Sequence, residues 1–266
     1  MTTPARPRRA DYDGSAEGWA GGASLVYEPL AAALVQRAPR ALSGAAALDV
    51  GAGTGAASRA LGAAGARPIA VDVSFDMVRH DRARRPPAAL GDVLQLPFRR
   101  GCFDTVVAAF CLNHLPDPVA GLREMARVAA AGGVVLASTF SARSRMPARD
   151  RVDEVAARFG WRAPAWYERV REEVEPQLGS AEAMADAARR AGLESVRAQE
   201  EPVDVGVASA GEVVAYRLGQ APFADFLCGL DDSQRSRLVA EAEAAVGDEP
   251  TPMRPLVVFL SALAFS

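Results

Sequence analysis

Residues 48–55, Leu-Asp-Val-Gly-Ala-Gly-Thr-Gly, constrain the fold more than any other stretch of this chain. An apolar run ends in glycines at alternate positions, Gly51, Gly53 and Gly55, and a helix-compatible stretch from Ala56 to Gly65 follows. Glycine lets the backbone turn sharply and lets a ligand lie against the main chain without meeting a Cβ. A strand that runs through such a turn into a helix places backbone N–H groups beside a nucleotide-sized cleft. The next strand agrees. Ile69-Ala70-Val71 is apolar and ends in Asp72, about 20 residues after the first glycine, where a carboxylate accepts hydrogen bonds from ribose hydroxyls.

Spacing alone leaves the cofactor open, because Ala56 also satisfies the last position of the dinucleotide fingerprint. Further along, Gly91-Asp92-Val93 follows a third apolar stretch and offers a second acid at a strand end. Phe103-Asp104-Thr105-Val106-Val107, then Asn113-His114-Leu115-Pro116-Asp117-Pro118, then Gly132-Gly133-Val134-Val135-Leu136 complete the series. With these motifs in this order, residues 46–140 resemble the S-adenosylmethionine-dependent methyltransferases of Rossmann-like fold. The small-molecule branch, similar to quinone-biosynthesis and natural-product methyltransferases, is the nearest in look. The likeness speaks for cofactor and fold and leaves the acceptor open.

The alternation supports the same architecture. Strands are expected near 46–51, 68–72, 88–91, 103–109 and 133–139, with helices near 54–64, 75–84 and 118–130 between them. That rhythm predicts an α/β fold: a doubly wound, mostly parallel seven-stranded sheet with helices on both faces. Ligands of such sheets lie outside the carboxyl ends of the strands, where Gly51, Asp72, Asp92 and Phe110 all fall. One domain over 1–266 is expected, with a disordered tail at 1–11 and an N-terminal helical cap at 15–38. Helices are expected over 147–177, broken near Pro164 and part of a helical cap or lid over 141–177, and from Ser180 to Gly192. A strand over 194–207 and an apolar closing strand over 255–265 enclose the helices of 209–246, expected as an inserted lid.

The resemblance assigns roles to particular residues. Gly51, Gly53 and Gly55, with the Ala52 and Thr54 backbone, would cradle the methionine part and ribose. Asp72 would hold the ribose hydroxyls, and Val73 and Met77 would pack on the adenine. Asp92 would accept the adenine amino group beside Val93, and Ala109 and Phe110 would line the path of the methyl group. Asp49, inside the first strand, reads as a structural hydrogen-bond acceptor. Some sugar- and phenol-modifying relatives carry two adjacent histidines where this chain has Asn113 and His114, and the first can act as base. With Asn113 in that place, His114 and Asn113 are the candidate catalytic pair, and a capping role for His114 is the competing reading. Aromatic residues expected around a flat acceptor are Tyr12, Trp19, Tyr27, Phe140, Trp166 and Tyr216, with Trp161, Tyr167 and Phe223 as further rings. Each competes with plain core packing.

Composition excludes several classes. The net charge of −3 gives no general attraction to nucleic acid, and no Asp/Asn-Pro-Pro-Tyr/Phe segment is present. Every basic side chain is arginine, so the Tyr-x-x-x-Lys of many NAD-dependent oxidoreductases is missing. Three scattered cysteines suggest neither a metal site nor a disulfide framework and point to a reducing, cytoplasmic setting. No apolar stretch approaches the length of a membrane span. The expected cofactor is S-adenosylmethionine, the expected partner a small-molecule acceptor, and the expected state a monomer or homodimer. A protein that binds S-adenosylmethionine without methyl transfer, as scaffold or cyclisation catalyst, is the alternative.

Overall fold

The structure, a computed structural model, describes residues 12, 14–248 and 252–265. The expected tail at 1–11 lies outside them. Seven strands form one sheet: β1 (Ala46–Val50), β2 (Arg67–Asp72), β3 (Ala88–Leu90), β4 (Phe103–Ala109), β5 (Ala129–Phe140), β6 (Glu194–Pro202) and β7 (Leu256–Leu263), in the order β3-β2-β1-β4-β5-β7-β6. The first five are parallel, and β7 runs antiparallel between β5 and β6. The strand order reverses between β1 and β4, which opens a crevice at their carboxyl ends. Strands β1 and β4 are almost continuous apolar runs because helices cover both their faces.

The helices are α1 (Ala16–Gly18), α2 (Ser24–Val35), α3 (Ala56–Ala63), α4 (Phe75–Arg79), α5 (Pro118–Val128), α6 (Pro147–Arg158), α7 (Ala165–Arg169), α8 (Ala181–Arg190), α9 (Ala210–Leu218), α10 (Ala224–Cys228) and α11 (Asp232–Val246). On one face of the sheet, α2, α3, α6, α9 and α11 pack around Leu30, Leu34, Leu61, Val155, Val213 and Leu238. On the other, α5 and α8 bury Leu122, Met125 and Met184 against Leu48 and Val106. Starts are marked locally. Asp117 caps α5 with Pro118 at its first position, and Ser209 with Glu212 and Asp231 with Gln234 form capping boxes on α9 and α11.

Several boundaries differ from the sequence reading, β5 among them, which starts at Ala129 and not near 133. Helix α4 stops at Arg79, not residue 84, because His80 is extended and Asp81 sits at φ 46 before a Pro86-Pro87 pair that cannot continue a helix. Strand β6 ends at Pro202, where proline can no longer donate to the ladder. The N-terminal cap is a single run in which α1 and α2 are joined by a π-helical turn, Trp19–Ala23. That run lies so close to α9 that a Cβ on Gly22 would stand 2.0 Å from the Ala215 carbonyl oxygen. Helices α9 and α11 pack on α6, and α9 also packs on the N-terminal run, so the inserted helices support that cap from behind.

Candidate functional site

The glycine bend leaves β1 with Gly51, Gly53 and Gly55 at φ +65, +51 and +96. These left-handed values are costly for any residue with a Cβ. The three positions differ in what surrounds them. A Cβ on Gly51 would meet Cys111 Sγ at 2.2 Å, whereas one on Gly53 would meet nothing within 4 Å. The first glycine therefore answers to packing and the second to open space. No side chain caps the start of α3, which follows directly.

Asp72, the last residue of β2, reaches across to this bend. Its Oδ2 accepts the Gly53 N–H at 2.8 Å and its Oδ1 accepts the Ser74 N–H at 2.8 Å. Burial raises its pKa, and these backbone N–H groups oppose the rise. An ionised carboxylate has about four acceptor positions, so capacity remains for hydroxyl groups of a ligand. Asp92 lies beyond β3, where its Oδ1 accepts the Leu94 N–H at 2.8 Å. Asp49 is 1 % exposed and accepts from the Ser58 hydroxyl at 2.7 Å. Burial pushes its pKa up to about 6.

These groups open onto one cleft of about 1110 Å³ of empty space, its mouth included. It is lined by Gly51, Ala52 and Gly53 of the bend, by Asp72, Val73 and Met77, by Asp92 and Val93, and by Ala109 and Phe110. Asp49, Ala56, Ala57, Leu94, Cys111, Leu115 and Pro116 complete the walls, together with His114 and the rings of Tyr12, Trp19 and Tyr27. Thr54 and Gly55 stay buried in the turn and do not line it. Every lining residue among those described precedes Asp117.

Phe110 has φ +55, one of three such non-glycine positions among the described residues. Its N–H donates to the Ser138 carbonyl at 3.0 Å, which holds it there. Strain of this kind persists where the surroundings over-determine it, often at ligand sites. Its ring packs on Phe140 at 4.6 Å between centroids and edge-on to Tyr27 at 5.3 Å. Trp19 stacks on the far side of Tyr27 at 4.9 Å, on the π-helical turn that brings its ring to the cleft. Such turns recur at functional sites.

The remaining expected pocket residues are placed elsewhere. Tyr216 is 1 % exposed and belongs to the core behind Tyr27, because α9 turns that face toward α6 and the N-terminal run. Phe140 stands one layer behind Phe110 and lines a separate cavity with Ser141, Arg171 and Glu175. Trp166 touches Tyr12 at 5.5 Å but does not reach the cleft wall. Asn113 is 4 % exposed and also lies off the cleft, its Oδ1 buried with no hydrogen-bond partner among the described residues.

His114 faces the cleft from a 3₁₀ turn, Leu112–His114, and its Nδ1 shares a 2.8 Å hydrogen bond with the Tyr12 hydroxyl. Burial lowers its pKa to about 4, so the ring is neutral at pH 7. With the proton on Nε2, Nδ1 accepts from the phenol. The N-terminal segment is also tied to the other side of the cleft, where Asp76 Oδ2 accepts the Gly14 and Ala16 N–H groups at 3.2 and 3.3 Å. Asp76, Cys111 and Leu94 escaped the sequence reading. An acid in the first turn of a short helix is a weak signal, and the other two sit within one or two residues of positions that were read.

The site fits an adenosine-bearing sulfonium. The space over Gly53 admits a ligand against the backbone, two carboxylates stand at adjacent strand ends, and Val73, Met77 and Val93 form an apolar wall between them. Among the described residues no helix is long and apolar enough to cross a membrane, and no His, Cys, Asp and Glu cluster is arranged to hold a metal.

Residues 48–137 match the family described as Methyltransferase domain. Demethylmenaquinone methyltransferase of Mycolicibacterium gilvum is 43% identical over 94 residues, which cover 35% of this chain and 41% of that protein. The corresponding protein of Corynebacterium urealyticum gives the same figures. The chain thus spans well under half the length of the curated relatives it matches. In three dimensions it is similar to phosphoethanolamine N-methyltransferase 2 of Haemonchus contortus, solved with S-adenosylmethionine, at TM-score 0.55 and 18% identity over 89% of this chain and 52% of that one. It is also similar to the [4+2]-cyclase SpnF, at TM-score 0.54 and 22% identity over 90% and 81%.

Proposed function

From a chain that carries a methyltransferase domain over residues 48–137, on the fold of the S-adenosylmethionine-dependent methyltransferases, we infer transfer of a methyl group from S-adenosylmethionine to a small organic acceptor. The observation that carries this reading is the Asp72 carboxylate bonded to the Gly53 N–H at a bend whose backbone lines the cleft.

When bound, S-adenosylmethionine supplies a methyl group already activated on a sulfonium, so the chain provides no nucleophile of its own. Its residues bind, align and exclude water. Asp72 receives the ribose hydroxyls, Asp92 the adenine amino group, and Val73, Met77 and Val93 the faces of the purine. Ala109, Phe110 and the rings of Tyr27 and Trp19 enclose the transfer path and keep it dry. Holding acceptor and methyl carbon in line contributes up to roughly 7–11 kcal/mol to the rate. His114 is a poor base at neutral pH, since its pKa of about 4 lies far below the working range. Its role is to hold Tyr12 across the mouth. This arrangement suits an acceptor that is nucleophilic without a strong base, such as an amine or a stabilised carbanion.

The aromatic enclosure suits a flat apolar acceptor, in keeping with relatives named for demethylmenaquinone, and a secondary or natural-product metabolite is our reading of its class. Cys102, Cys111 and Cys228 are all unpaired, which supports a cytoplasmic setting. Likeness to a cyclase keeps a second reading in play, cofactor binding without methyl transfer. Calorimetry with S-adenosylmethionine and with NAD tests the first step, and tight NAD binding with no S-adenosylmethionine binding refutes the assignment. Incubation with methyl-labelled cofactor and a metabolite pool tests the second. Labelled product establishes transfer, while tight binding with no labelled product from any pool favours the second reading.

A further inference from the structure

Two arginines grip the glycine bend by its carbonyl groups. Arg85, in the connection from α4 to β3, donates from Nη1 to the carbonyls of Gly53 and Val78, each at 3.2 Å, and to that of Met77. Arg59, in the first turns of α3, donates from Nη1 to the Thr54 carbonyl at 2.9 Å while its Nη2 pairs with Glu28 on α2 at 2.6 Å. The Gly53 N–H already goes to Asp72. Three successive peptide planes are therefore pinned. The 52–53 plane is held through its N–H, and the 53–54 and 54–55 planes through their oxygens.

The bend closes on itself through the Gly55 N–H to the Ala52 carbonyl at 2.8 Å, which leaves the 53–54 plane to the arginine, since glycine adds no steric preference of its own to hold it. Capping of α4 through the Met77 and Val78 carbonyls is an ordinary use of a cation near a helix C-terminus. The Gly53 carbonyl is not part of that cap. Arg85 also carries a cost, since its Nε and Nη2 are buried with no hydrogen-bond partner among the described residues. A half-buried guanidinium with two of its nitrogens enclosed and unpartnered is a weak stabiliser of the fold and calls for another reason to be there. The charges of Asp49 and Asp72 favour its ionised form, against the burial that disfavours it.

We propose that Arg85, assisted by Arg59, is a positioning residue for the cofactor: it fixes the peptide planes of residues 52–55 before the ligand arrives, so that binding does not have to order them. The inference rests on the cofactor assignment above. Pre-ordering a loop raises affinity by removing an entropic cost, not by adding a contact.

The test uses the full chain with S-adenosylhomocysteine as probe, read by calorimetry, with hydrogen exchange over residues 51–58 and thermal melting of the free protein alongside. Arg85→Met is expected to weaken binding about 10- to 100-fold, the worth of a lost charge-assisted hydrogen bond. Loop amides in the free protein should exchange faster, and in turnover the loss should fall on KM for the cofactor and not on kcat. Arg85→Lys should recover binding to within about threefold, because the three carbonyls now share one nitrogen and an ammonium offers three donors. An Arg85→Met protein that binds as tightly as the unaltered chain, with unchanged loop exchange, overturns the proposal. If Arg85→Met does not fold, Arg59→Met decides. Its side chain is 49% exposed, so it should melt normally and bind about 3- to 10-fold more weakly. Equal affinity there overturns the proposal instead. Failure of the unaltered chain to bind the probe would overturn the cofactor assignment, and this inference with it.

Discussion

Replacing each of the first two glycines of the bend by alanine separates packing from binding. At Gly51 the new methyl group meets Cys111 Sγ at 2.2 Å and its Cβ at 2.6 Å, on a backbone at φ +65. The left-handed conformation costs about 1–2 kcal/mol for alanine, and forcing a methyl into a filled site adds about 1–3 kcal/mol. Alanine also restricts the unfolded chain, which returns about 0.4–1 kcal/mol. Gly51→Ala is thus expected to lose about 2–4 kcal/mol, a fall in Tm on the order of 10 °C for a chain of this size. Gly53→Ala carries the backbone cost alone, about 1 kcal/mol, because its Cβ points into empty space. The binding order is the reverse. The methyl at residue 53 occupies room the cofactor would fill, so its Kd should rise at least about tenfold. Urea unfolding and calorimetry with S-adenosylhomocysteine measure the two quantities. Cys111→Gly in the Gly51→Ala background removes both colliding atoms and should recover about 1–3 kcal/mol, seen as coupling in a double-mutant cycle. Additive effects within about 0.5 kcal/mol, or an unaltered Kd in Gly53→Ala, would refute this division of roles.

Asp72→Ala should raise the Kd for S-adenosylmethionine by about 10-fold or more, since it loses a charged acceptor for the ribose and the tether of Gly53; equal affinity removes Asp72 from the site. Asp49 titrates near 6 when folded and near 3.8 when unfolded, so the folded state holds the extra proton between those values and stability falls as pH rises through them. Asp49→Asn should therefore gain up to about 3 kcal/mol at pH 7.5 and flatten that slope in urea titrations, and an unchanged profile counts against the burial argument. His114 works in the opposite sense. Its unfolded pKa near 6.5 exceeds the folded value of about 4, so stability is lost as pH falls from 6.5 to 4, and His114→Gln should remove that part of the loss. A rate inflection near pH 6.5 that vanishes in His114→Gln would show the ring titrating freely and contradict its buried state.

Legibility followed locality. The bend, Asp72 and Asp92 were readable because each lies within a few residues of the apolar run that ends at the sheet edge. Trp19 and Tyr27 were readable as rings on an N-terminal helix, and the π-helical turn that aims Trp19 was not, because nothing in Trp-Ala-Gly-Gly-Ala distinguishes it from an α-helix. Tyr216 carried the same composition signal as Tyr27, yet which face of α9 turns inward depends on α6 and α11, distant in sequence. The antiparallel β7 was read as a closing strand without its direction, since apolarity is blind to polarity of the chain. Arg85 was hidden among neighbouring arginines, Arg79, Arg82 and Arg84, which are exposed.

Among the described residues the cleft walls all come from before Asp117, while the sheet's far edge and most of the helices come afterwards. Variation in the later half can reshape what the mouth admits by shifting the N-terminal run from behind, leaving the donor cradle untouched. Directed evolution aimed at a new acceptor would then profit from diversifying α6, α7 and α9 first.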